Sequence, residues 1–140
     1  MIENSEVVLI EDNFFDAELI TSVLESRNIT KEVAWFKDGE EVLNFLKNGG
    51  FTNLNPRLIL LDLKLPKIEG SKVLKEIKAH QHARLVPVVV LTSSNQESDR
   101  LSSYQSGANS YVVKPIDYND FEVAIEEVGT YWLFRNFAHD

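Results

Sequence analysis

The sequence contains no cysteine, which excludes disulfides, thiolate metal centres and thiol nucleophiles and is compatible with a reducing compartment, the cytoplasm being the expectation. It has no apolar run approaching membrane-spanning length. Nor does it open like a secretory leader, since Glu3 and Glu6 stand where a basic segment and a long apolar stretch would be needed. Basic charge is also scarce. With 14 Lys and Arg against 22 Asp and Glu, the net charge of −8 opposes binding to nucleic acid, and no DNA-binding output domain is expected. Internal repeats, low-complexity tracts and long linkers are absent. At 140 residues the chain reads as one domain, long enough to bury a core without metal or disulfide staples.

What is present is organised around residues 57–66, where the apolar run Leu58, Ile59, Leu60, Leu61 drives straight into Asp62 and stops at Pro66. Such a run suits a strand buried on both faces, as in a parallel sheet. A carboxylate at the C-terminal end of such a strand stands where open α/β sheets bind their ligands. Taken alone, Asp62 could equally cap the next helix.

Other strand candidates end in the same way. Val7 to Ile10 runs into Glu11, Asp12 and Asn13; Val86 to Leu91 into Thr92, Ser93 and Ser94; Ser110 to Val113 into Lys114 and Pro115. A fifth candidate spans residues 31–36. Helical spacing follows each strand: Phe15, Leu19 and Val23 with Ile20 and Leu24; Val42, Leu43, Phe45 and Leu46; Val73, Leu74 and Ile77; a sparse pattern with Leu101 and Tyr104 between Asn95 and Ser106; and Phe121, Ala124, Ile125, Val128 and Trp132 after Asp117. Asn48, Gly49 and Gly50 close the second helix, and the polar stretch to Pro56 is predicted to be a surface loop. Five strands alternating with five helices predict an α/β fold with a parallel sheet covered on both faces by right-handed crossovers.

In that arrangement Glu11, Asp12, Asp62, Thr92 and Lys114 gather at one sheet edge. Converging carboxylates repel one another unless a cation joins them. Mg²⁺ fits oxygen donors and keeps water ligands, whereas zinc is disfavoured because neither Cys nor His is in the set. Such a site would screen an incoming phosphoryl group and let Asp62 attack it, with Lys114 and the Thr92 hydroxyl contacting the phosphoryl oxygens. Singly, each residue has a plainer explanation as a cap, turn residue or surface charge. Jointly, they outline phosphoryl transfer.

Together, Glu11 and Asp12, the segment from Asp62 to Pro66, the Leu91, Thr92, Ser93 triplet and the segment from Tyr111 to Pro115 resemble the receiver domain of two-component response regulators, over essentially the whole chain. The resemblance implies the flavodoxin-like doubly wound (βα)5 fold with strand order 2-1-3-4-5. It also implies Asp62 as phosphoacceptor, Asp12 as a direct Mg²⁺ ligand, Glu11 as a ligand through water and the Lys64 backbone carbonyl as a further contact. Thr92 and Lys114 would contact the phosphoryl group, Tyr111 would be the switch aromatic, and the Lys114–Pro115 bond would commonly be cis. Glu11 and Ser93 depart from the residues most frequent at their positions, without removing a reacting group. More narrowly, residues 56–66 and the end of the last helix near Tyr131, Trp132 and Leu133 resemble the stand-alone regulators that serve cyanobacterial phytochromes. That likeness implies a phytochrome-type histidine kinase as donor.

Two further expectations follow. Phosphorylation would draw Thr92 inward, open room for Tyr111 and shift the weakly packed helix after Ser94. Residues 1–128 would form the receiver, while 129–140 extend the last helix with surplus aromatics suited to a homodimer. The alternatives are a Mg²⁺-dependent aspartyl-phosphate phosphohydrolase, disfavoured by the lack of a cap domain and by Lys64 standing two residues after Asp62, and a degenerate receiver used only for protein contact, disfavoured by the intact acids. His80 and His82, and likewise His139, read as solvated surface.

Overall fold

In a computed structural model, residues 5–137 are described; His139 and the last residues of the proposed extension lie outside them, as do the first four residues. Strands β1 (Val7–Ile10), β2 (Val33–Phe36), β3 (Leu58–Leu61), β4 (Val88–Thr92) and β5 (Ser110–Val113) form one parallel sheet in the order β2-β1-β3-β4-β5. The helices are α1 (Phe14–Ser26), α2 (Gly39–Lys47), α3 (Gly50–Leu54), α4 (Gly70–Ala79), α5 (Glu97–Gln105) and α6 (Tyr118–Thr130), the last continuing into a π turn, Tyr131–Arg135.

The central strands are buried throughout because each of their faces meets a separate core. Val7, Leu9, Leu58, Leu60, Val89 and Leu91 pack against α1 and α6, chiefly on Ile20, Leu24, Phe121 and Ile125. Val8, Ile10, Ile59, Leu61, Val88 and Val90 face α2 and α4 through Val42, Leu46, Val73 and Ile77. Alternate side chains of a strand point to opposite faces, so an unbroken apolar run requires two apolar layers.

Several local expectations are corrected. The stretch before Pro56 is not a plain loop: Gly49 adopts φ 78°, a turn that favours glycine, and α3 follows. Phe51, 2% exposed, anchors α3 against Phe45 with ring centroids 5.3 Å apart. Phe51, with Leu54 partly buried against the same core, holds this polar segment on the domain. Phe15, at helical spacing with Leu19, is 76% exposed, since the first turn of α1 lies beside the polar strand ends rather than over the core. Leu101 and Tyr104 are likewise exposed, and only Ser103 of α5 is buried. Strand β4 begins at Val88, directly after Pro87, whose carbonyl accepts the Ile59 N–H at 2.9 Å. Among the described residues there is no cis peptide bond, so Lys114–Pro115 is trans, the form even prolyl bonds prefer.

Candidate functional site

Sheet register carries the strand-end residues to one edge. Ile10 pairs with Leu61 and Phe36, and Leu61 pairs with Val90. The ladder runs on into the site: the Glu11 N–H donates to the Phe36 carbonyl (3.0 Å), the Asp62 N–H to Ile10 (3.0 Å) and the Lys114 N–H to Thr92 (2.7 Å). Glu11, Asp62 and Lys114 are therefore placed by the rigid sheet.

Lys114 Nζ is the hub. It donates to Glu11 Oε1 at 2.7 Å, Asp16 Oδ2 at 2.8 Å and Asp62 Oδ2 at 2.9 Å, with its side chain only 8% exposed. Asp62 Oδ1 accepts the Lys64 N–H at 3.1 Å, and Glu11 Oε2 accepts the Asn13 N–H at 3.1 Å. The Trp35 indole N–H donates to the Glu11 carbonyl at 2.7 Å, buttressing the end of β1. Asp12 is exposed beside this buried group.

Glu11 and Asp62 divide the charge unequally. Burial, followed by the nearby Asp62 charge, pushes the Glu11 carboxyl up to about 8, against the hydrogen bond and charge of Lys114. Burial opposes ionisation of Asp62 too, but the charge and hydrogen bond of Lys114 and the Lys64 N–H outweigh it and hold Asp62 below the usual carboxylate range. Burial likewise opposes the Lys114 ammonium, but the hydrogen bonds it donates to Asp16 and Glu11 and the surrounding negative charge raise its affinity for the proton. The site thus presents an ionised Asp62 clamped by a charged lysine.

One carboxylate oxygen from each of Glu11, Asp12 and Asp62 lies within 4.8 Å of the others. This all-oxygen set, with a buried member that resists ionisation unless positive charge is near, suits a hard divalent cation. Lys114 already supplies one positive charge against several carboxylates, and a cation would offset the rest.

Thr92 is fully buried, and its Oγ accepts the Ser94 N–H at 3.4 Å. Tyr111 is half-buried on β5. The structure therefore brings Glu11, Asp12, Asp62 and Lys114 together, with Thr92 on the adjacent strand end. Asp16 was missed in the sequence, because an acid in a helix's first turn is already explained by the helix dipole. A helix that starts right after the acid pair was the available signal.

The response regulator receiver domain family matches residues 7–126. The chain belongs to that family. Among curated relatives it is 40% identical over 132 residues to the probable methanogenesis regulatory protein FilR2 of Methanothrix harundinacea, covering 93% of this chain and 84% of that one. It is 37% identical over 129 residues to the response regulator Rcp1 of Synechocystis, covering 91% and 88%. A crystal structure of the Mn²⁺-bound form of Rcp1 superimposes with a TM-score of 0.85, at 35% identity over 96% of this chain and 99% of that one. The phosphorylated cyanobacterial phytochrome response regulator RcpA gives a TM-score of 0.89 at 34% identity, covering 98% of this receiver and 99% of its own chain. Receivers of this family are signalling proteins rather than enzymes acting on a separate substrate.

The remaining sequence candidates take ordinary places. His80 Nδ1 accepts the His82 and Ala83 N–H groups, both at 3.1 Å, so it caps the turn after α4. Among the described residues no helix is long and apolar enough to cross a membrane.

Proposed function

We propose that this receiver accepts a phosphoryl group on Asp62 from the phosphohistidine of a histidine kinase, of the phytochrome type, and signals through the resulting change of surface. The carrying observation is the buried clamp of Lys114 on an ionised Asp62, at the edge where three carboxylates converge. In the transfer an Asp62 carboxylate oxygen bonds to phosphorus as the phosphorus–nitrogen bond to the donor imidazole breaks, and the electron pair leaves with the imidazole. Lys114 meets the phosphoryl oxygens, and the Thr92 hydroxyl turns from Ser94 to donate to one of them. Glu11, Asp12, Asp62 and the Lys64 carbonyl are the proposed ligands of Mg²⁺, which supplies charge neutralisation at the phosphoryl oxygens. The Mn²⁺-bound state of Rcp1 supports a hard divalent cation, and the oxygen donor set suits Mg²⁺.

The phytochrome partner is supported by the similarity to the cyanobacterial phytochrome response regulator RcpA, and the cytoplasm is the proposed setting. The extension of α6 is the proposed homodimer surface, as Tyr131, Phe134 and Phe137 are all exposed there. Sedimentation with and without phosphorylation checks it, and a monomer in both states refutes it.

The central test is intact mass after incubation with Mg²⁺ and acetyl phosphate. One phosphoryl group, dependent on Mg²⁺ and missing from Asp62→Asn, is the expected result. Absence of both a phosphoryl adduct and beryllofluoride binding would identify a degenerate receiver, and turnover of an external phosphomonoester would identify a hydrolase.

A further inference from the structure

We propose that Asp16 is a positioning residue for Lys114, the anchor that holds the ammonium at the mouth of the site once Glu11 and Asp62 are engaged by a divalent cation. The inference rests on the metal and phosphoryl reading above.

Lys114 Nζ has three N–H bonds, and the carboxylates of Glu11, Asp16 and Asp62 take all three. Two of these partners, Glu11 and Asp62, belong to the acidic group that could hold a cation; Asp16 does not. A dication held by Glu11, Asp12 and Asp62 would share two of the ammonium's three carboxylate partners and repel its charge. Asp16 attracts the ammonium from outside that group, so it is the contact that survives.

Its placement suits the task. The Asp16 N–H donates to Asn13 Oδ1 at 2.9 Å, so the N-cap of α1 fixes the backbone from which the carboxylate reaches. The Asp16 side chain is 29% exposed and that of Lys114 8%, which puts the carboxylate on the solvent side of the amine. The pair ties α1 to the end of β5, 98 residues away in sequence. An ordinary surface ion pair has both partners in water and contributes little; here the amine is buried. With one N–H kept by Asp16, the other two remain free to pass from Glu11 and Asp62 to phosphoryl oxygens without the chain swinging out.

The test compares the full chain with Asp16→Asn and Asp16→Glu. Mg²⁺ affinity is read from Trp35, whose indole bonds the Glu11 carbonyl, in a Trp132→Phe background. Phosphorylation by acetyl phosphate is timed at saturating Mg²⁺, and the Lys114 ammonium is observed by proton–nitrogen NMR with Mg²⁺ and beryllofluoride bound. Asp16→Asn is expected to slow phosphorylation by about tenfold to a hundredfold, to move the Mg²⁺ dissociation constant far less, and to lose the Lys114 signal through exchange with water. Asp16→Glu is expected to recover part of both rate and signal. Native rate and a retained Lys114 signal in Asp16→Asn overturn the inference while leaving the site reading intact. Failure of the unsubstituted chain to bind Mg²⁺ overturns the site reading and this inference with it.

Discussion

Tyr111 on β5 donates its hydroxyl to the Ser94 carbonyl at 2.9 Å, which ties the outer strand to the loop that follows β4. The same loop residue donates its N–H to Thr92 Oγ and its hydroxyl to Asp99 in the first turn of α5. Ser94 thus joins the Thr92 hydroxyl, the Tyr111 ring and a helix that buries only Ser103. If Thr92 turns toward a phosphoryl group, Ser94 loses an acceptor and the loop can move, taking Tyr111 and α5 with it. Thr92→Ala is expected to abolish the phosphorylation-dependent shift of Tyr111 in fluorotyrosine NMR, the signal being assigned with Tyr111→Phe. A shift equal to that of the unsubstituted protein would rule out this route.

Lys114 is the cation on which three carboxylates depend. Lys114→Met should destabilise the metal-free protein by about 3–5 kcal/mol, the cost of leaving buried charge unpaired. Added Mg²⁺ should restore part of that loss, because a cation replaces the missing charge. Urea unfolding with and without Mg²⁺ measures both effects, and an unchanged midpoint in the variant contradicts the electrostatic account.

Gly70 begins α4 with its backbone against the loop that follows β3. A Cβ there would lie 2.5 Å from the Asp62 carbonyl oxygen and 2.5 Å from Leu63 Cα. Gly70→Ala should cost about 1–3 kcal/mol and displace the loop whose Lys64 N–H holds Asp62. Slower phosphorylation beyond what the stability loss explains is the expected outcome, measured with acetyl phosphate at a temperature where the variant is folded.

Asp38 caps α2, its carboxylate accepting the Glu41 N–H at 2.8 Å. That bond, together with Lys67 and against a smaller cost of burial, holds its pKa below the ordinary value. The folded-state pKa is depressed, so the contribution is complete above the unfolded pKa and is lost as pH falls through the folded one. Asp38→Ala should cost about 1 kcal/mol at neutral pH, and its difference from the unsubstituted protein should shrink in acid. A pH-independent difference in chemical denaturation would refute the assignment.

Phe51 tests whether α3 belongs to the core. Phe51→Ala should destabilise by about 3–5 kcal/mol, as for other buried aromatics, and a loss under about 1 kcal/mol would mark the segment as a surface loop.

The sequence by itself determined the alternation of buried strands and amphipathic helices, the two-sided burial of residues 58–61, and which acids and lysine gather at the strand ends. These are periodic or local properties, and parallel topology then gathers residues that follow each strand. The receiver resemblance rested on the same residues. What only the tertiary structure decided depends on what lies beneath each surface. Phe51 is buried and Phe15 is exposed, although both are phenylalanines near polar residues, because one packs into the core on the α2 side and the other stands in solvent on the first turn of α1. Asp16 joins Lys114 because α1 starts at the tip of β1 and β5 ends opposite its first turn. A pairing across 98 residues leaves no periodic trace in the chain; it exists only where packing brings one buried ammonium within reach of three carboxylates.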